Sequence, residues 1–160
     1  MNHDDAPKSL VDLVEPGSTL MVGTESTFGA LEFRPLTASA VTADRIEILV
    51  DTSAPWTQHL EDGARAYVTM SDTRSNTWLS LDGRISTTTD PASIDELWNP
   101  FADAYFDEGR DTPGITVLRI DGDAGAYWST PSGRIGSLIS MVKAKLGDPA
   151  DSGQSGTLAL

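Results

Sequence analysis

Short runs of alternating or β-branched residues recur along this chain, and most are separated by only a few turn-forming residues. They fall at Thr19–Thr24, Ala30–Val41, Ile46–Val50, Ala66–Met70, Thr77–Thr87, Ile115–Ile120 and Ala126–Thr130. Side chains alternate faces along a strand, so the run from Ala30 puts Leu31, Phe33 and Pro35 on one side and Glu32, Arg34 and Leu36 on the other. Six or seven strands with so few helical stretches favour an antiparallel β-barrel with a few helices over a doubly wound α/β sheet. Gly83 inside the Thr77 run predicts a bulge or a close backbone approach. The run Asp121-Gly122-Asp123-Ala124-Gly125 reads as a tight turn between two strands. It fails as a calcium loop, lacking the glycine, the oxygen ligand and the bidentate glutamate at their required places.

The stretch Arg45–Asp72 has a different design. A strand, Ile46–Val50, runs through Asp51-Thr52-Ser53 into a helix that Pro55 can start and Gly63 ends, and a second strand follows. Such a β-turn-α-β unit predicts backbone N–H groups at a helix mouth, where an anion can sit. Elsewhere Ser9 is placed to cap a helix Leu10–Glu15 that packs through Leu10, Val11 and Val14. Asp90 and Pro91 open a helix that Asn99-Pro100 interrupts, with a second short helix over Phe101–Phe106. Asp107–Gly114 reads as a loop. Ser132–Leu146 carries Ile135, Leu138, Ile139, Val142 and Leu146 on one helical face. One domain over residues 8–147 is expected, between a loose tail at 1–7 and a disordered tail at 148–160.

Charge narrows the function. A formal net charge of −13 opposes binding to nucleic acid or to an anionic membrane, both of which need clustered cations. There is no cysteine, so disulfides, thiolate metal sites and cysteine nucleophiles are excluded. The N-terminus, MNHDDAPKSL, has neither the basic nor the apolar region of a signal peptide, and a cytoplasmic location is expected.

No catalytic triad suggests itself. His59 is the one histidine outside the N-terminal tail, and beside Glu61 and Asp62 it reads as a solvent-facing residue rather than a general base. Asp103, Asp107, Glu108 and Asp111 read as a solvated loop, and no glycine-rich nucleotide fingerprint occurs. Of the tryptophans, Trp98 reads as core. Trp56, at a first helical turn, is a candidate to stack on a planar ligand.

Several local motifs, FRPLT at Phe33–Thr37, WLSLDGR at Trp78–Arg84, DELWNPFADAYF at Asp95–Phe106 and AYWSTPSG at Ala126–Gly133, join the Arg45–Asp72 unit in one order. Together they resemble the bacterial general-stress branch of the pyridoxamine 5′-phosphate oxidase-like, FMN-binding split-barrel family. The resemblance implies a six-stranded antiparallel split barrel and a two-fold homodimer with two flavin sites between the subunits. It implies FMN contacts from Arg34, Pro35, Leu36 and Thr37, and a phosphate site over Val50–Trp56, including Asp51, Thr52 and Ser53. Trp78 and Ser80 would reach over the ring from the partner copy, with Trp128 at the edge.

Three positions depart from the family's pattern: Val50 stands where threonine is common, Ala54 where serine is, and Trp56 where lysine is. The missing groups are together worth on the order of 3–5 kcal/mol toward a phosphate. Arg34, Thr52, Ser53 and the helix-mouth N–H groups are the candidates to replace them. Two main readings follow: an FMN-binding split-barrel protein of the general-stress type, with at most low flavin-dependent oxidoreductase activity, or a non-catalytic dimeric binding or scaffold protein that has lost its flavin-phosphate site. Another planar ligand, such as a deazaflavin or haem, is a third; His59 would be the only axial ligand for haem.

Overall fold

Eight strands, β1 (Thr19–Glu25), β2 (Leu31–Thr37), β3 (Ala40–Val41), β4 (Arg45–Asp51), β5 (Arg65–Asp72), β6 (Thr77–Thr88), β7 (Ile115–Ser129) and β8 (Gln154–Thr157), make one sheet in a computed structural model of the chain. The structure describes residues 8–130 and 154–160; the tail 1–7 and the helix expected over Ser132–Leu146 lie outside the described residues. The strands run in the order β2-β1-β5-β6-β7-β4-β3, with β8 also on β7, and every pairing is antiparallel.

That order forces the sheet to curl. β2 and β3 lie at opposite ends of it, yet only Ala38 and Ser39 join them. In a flat sheet six strand steps would separate them by roughly 29 Å. The three Cα steps available reach about 11 Å at most. The ends therefore come together, and the result is the mainly β split barrel that the sequence predicts, with eight strands rather than six and a seam where β2 approaches β4 without a ladder.

Alternation fills the barrel. Leu20 and Val22 of β1, Ile46 and Ile48 of β4, Val68 of β5 and Leu81 of β6 all point inward and are essentially inaccessible. Two short helices, α1 (Pro91–Leu97) and α2 (Pro100–Tyr105), cover the far face of β7 and β4 through a second cluster of Ile94, Leu97, Ala102, Phe106, Ile115 and Val117. The start of α1 is fixed as the sequence predicts, while Asn99, read there only as a break, caps α2. The Asp90 carboxylate accepts from the Ser93 N–H at 3.0 Å, and the Asn99 Oδ1 accepts from Phe101 and Ala102 at 2.9 and 3.1 Å.

Some local expectations are corrected. The run Ala30–Val41 is not one strand, because Leu31–Thr37 pairs with β1 while Ala40–Val41 pairs with β4. Residues 121–125 do not turn but lie inside β7. Asp82 faces Ala124 and Gly83 faces Gly122, so Asp123 is the extra residue of a bulge. The glycines there serve close passage: a Cβ on Gly83 would meet the Asp121 carbonyl, and one on Gly125 the Ser80 carbonyl and Leu158. Gln154–Thr157, within the tail expected to be disordered, pairs with Ala126–Ser129. The N-terminal helix is a single 3-10 turn, Leu10–Asp12, and Val11 is exposed rather than packed. Between β4 and β5 there is only a five-residue 3-10 helix, Pro55–His59, and these two strands are not sheet neighbours.

Candidate functional site

The seam opens as a cleft of about 550 Å³, within the range of small-molecule sites. One side is the end of β2 and its link to β3, from Pro35 to Ser39. The other is Ile48 to Asp51 of β4, followed by Ala54 and Trp56. Asn99, Pro100, Phe101, Ala102, Tyr105 and Phe106 of the α2 region close the third.

The walls are apolar, and the aromatic one is braced. Phe101 and Tyr105 line the cleft while 76% and 70% exposed, an unusual state for large rings outside a binding surface. Tyr105 meets Phe106 edge-on at 5.1 Å, and Phe106 stacks on Trp98 at 5.5 Å. Trp98 thus packs as the sequence predicts, and its Nε1 donates to Asp103 at 3.0 Å. Asp51 supplies the only charged side chain among the described lining residues.

Residues proposed from sequence fall in three groups. Pro35, Leu36, Thr37, Val50, Asp51, Ala54 and Trp56 come together on the cleft. Arg34, Thr52 and Ser53 are adjacent in the chain but do not line it. Trp78, Ser80 and Trp128 lie elsewhere, on β6 and β7, where Trp78 and Trp128 face each other directly in register and are 37% and 49% exposed.

Arg34 is held by its own neighbours. Its guanidinium lies 4.5 Å from the Trp56 ring centroid, a cation–π stack, while Nη1 donates to the Thr24 hydroxyl at 2.7 Å. Glu32 stands 3.7 Å away, and the Arg34 side chain is only 15% exposed. Burial draws its pKa down and Glu32 pulls it up, and it stays a cation throughout the physiological range.

The main chain at the end of β4 is equally committed. The Thr52 N–H donates to Gly114, the Ala54 N–H to the Asp51 carbonyl, and the Ser53 N–H to the Asp51 carboxylate at 2.7 Å. Pro55 has no N–H to offer. The Thr52 hydroxyl also donates to Gly114. With Val50 at 3% exposure in place of a hydroxyl, this end of the cleft does not fit a phosphate.

Other chemistry is sparse. His59 is exposed, as read from the sequence, and its Nε2 shares a 2.8 Å hydrogen bond with Thr27, away from the cleft. Among the described residues no cluster of His, Asp and Glu could hold a metal, and no helix is long and apolar enough to cross a membrane. Sequence reasoning missed the α2 wall. Phe101 and Tyr105, spaced i and i+4 on a short helix whose buried residue is Ala102, were the available signal.

Comparison with known proteins is consistent with this architecture. The family described as pyridoxamine 5′-phosphate oxidase like matches residues 5–150. A protein assigned as general stress protein 26 from Jannaschia sp. CCS1 superposes with a TM-score of 0.75 at 24% identity, covering 89% of this chain and 90% of its own. The general stress FMN/FAD binding protein from Xanthomonas citri gives 0.63 at 28% identity, over 73% of this chain and 83% of its own. PhzG from Burkholderia lata 383, solved in complex with tetrahydrophenazine-1-carboxylic acid, gives 0.60 at 14% identity, over 79% and 82%. No curated protein is similar in sequence.

Proposed function

Because the chain belongs to the pyridoxamine 5′-phosphate oxidase-like family, we propose that it is a homodimeric split-barrel binding protein of the general-stress type that holds a planar ring in the cleft of each barrel. The observation that carries this reading is the braced aromatic wall: Phe101 and Tyr105 stand exposed on one side, with Trp56 and Val50 also lining the cleft. Such walls gain from a flat apolar partner what solvent does not give them.

The second copy is supported by the outer face of the sheet. Met21, Leu31 and Phe33 on β1 and β2, and Trp78 and Trp128 on β6 and β7, are all exposed large apolar side chains. A face of this kind is what a dimer covers, and it supports the role of Trp78, Ser80 and Trp128 as residues brought to a neighbouring copy's cleft. A cytoplasmic dimer with no nucleic-acid or membrane role agrees with the net charge of −13.

A second reading, an FMN-dependent oxidoreductase, is favoured by the FRPLT segment and by the FMN/FAD-binding description of the Xanthomonas citri protein. Redox chemistry there would belong to the bound ring.

The test combines sedimentation equilibrium with titration of the purified protein by lumichrome, riboflavin and FMN. A dimer that quenches the fluorescence of any of these at micromolar concentration supports the reading. A monomer at tens of micromolar protein, or silence with all three ligands, overturns it.

A further inference from the structure

We infer that the cleft selects an uncharged heteroaromatic ring that carries no phosphate, and that Trp56 is the residue that sets this preference. The inference rests on the proposed ring-binding cleft and adds which class of ring it takes. Three independent features of the site converge on it.

The first is the main chain. Thr52, Ser53 and Ala54 have their N–H groups donated within the chain, so the end of β4 presents no ready cradle for a dianion. The second is the nearest cation. Arg34 is pinned over the Trp56 ring and onto Thr24, and it does not line the cleft. A phosphate would have to pull it from both partners. The third is charge: Asp51 is the only acidic or basic side chain among the described lining residues, and a carboxylate there repels an anion while accepting hydrogen bonds from a neutral donor such as a ring N–H or a sugar-alcohol hydroxyl.

Trp56 links these features. It sits where its indole both lines the cleft and holds Arg34, so one side chain closes the anion's place and adds aromatic surface for a ring. Its neighbour Ala54 offers no hydroxyl.

Riboflavin and FMN share one ring and differ by a phosphate, which makes them the discriminating probes. With the full-length protein at low ionic strength, riboflavin is expected to bind at least tenfold more tightly than FMN. Raising the salt should improve FMN binding and leave riboflavin unchanged, because only the charged ligand is screened. Asp51→Asn, which keeps the side-chain volume, should shrink the ratio severalfold. Trp56→Lys combined with Ala54→Ser should reverse it, whereas Trp56→Phe should preserve it.

FMN bound as tightly as riboflavin, or more tightly, by the unmodified protein overturns the inference and leaves the ring-binding cleft standing. Failure of riboflavin, FMN and lumichrome alike to bind removes the cleft reading itself. The Asp51→Asn variant keeps the idea falsifiable even where the double replacement disturbs folding: an unchanged ratio in it counts against the charge argument.

Discussion

At the scale of single residues, Trp56 and Arg34 behave as one unit. The indole packs against the main core and the guanidinium lies on its face, so neither can be removed without loosening the other. Trp56→Ala is expected to destabilise the fold by about 2 kcal/mol, combining lost burial with the lost cation–π contact. Trp56→Phe should recover most of that, and urea unfolding of the three proteins measures the difference. Gly83 is constrained in another way. A Cβ there would collide with the Asp121 main chain where β7 crosses the bulge, and backbone cannot swing aside as a side chain can. Gly83→Ala should therefore cost on the order of 1–3 kcal/mol, with the same measurement as its check.

At the scale of elements, the local stop and start signals were the most readable part of the sequence. Asn99 does more than the break read from it: its side chain caps α2 twice and its amide donates back to Leu97, holding α1 and α2 at a fixed corner. Asn99→Ala is expected to lower stability by about 1 kcal/mol. Because Phe101 and Tyr105 ride on that corner, it should also weaken ring binding, which a lumichrome titration reads.

What the sequence hid was set by partners far along the chain. Nothing local in Ala30–Val41 says that its two halves pair with β1 and β4 respectively, since the alternation continues through the break at Ala38. The Asp-Gly-rich run at 121–125 has turn composition, but the close approach of Ser80 and Leu158 uses its glycines inside a strand. The cleft was legible from β2 and β4, which carry the family's motifs, and hidden on α2, whose aromatic pair looks like ordinary packing until the helix is set beside the seam.

For the whole molecule, acid is the informative perturbant. Asp12, Asp72 and Asp90 each accept a backbone hydrogen bond, from Ser9, Arg74 and Ser93 respectively, and each has a pKa below its ordinary 3.8. Groups depressed in the folded state stabilise it fully above the unfolded value and lose that contribution as pH falls through the folded one. The melting temperature should therefore hold from neutrality down to about pH 4.5 and decline below it. Asp90→Asn should make the acid limb shallower. A limb unaffected by this change would show that the capping carboxylate carries none of it.

The long strand β7 has a consequence for how the chain is born. Among the described residues it alone joins β6, β4 and β8, while the apolar strand β4 has no other partner there than the two residues of β3. During synthesis the Ile46–Val50 edge must wait, unpaired, until everything up to Ile115 and beyond has left the ribosome. Chains halted before that point should be sticky and depend on chaperones. Those released after Ser129 should close the wall at once.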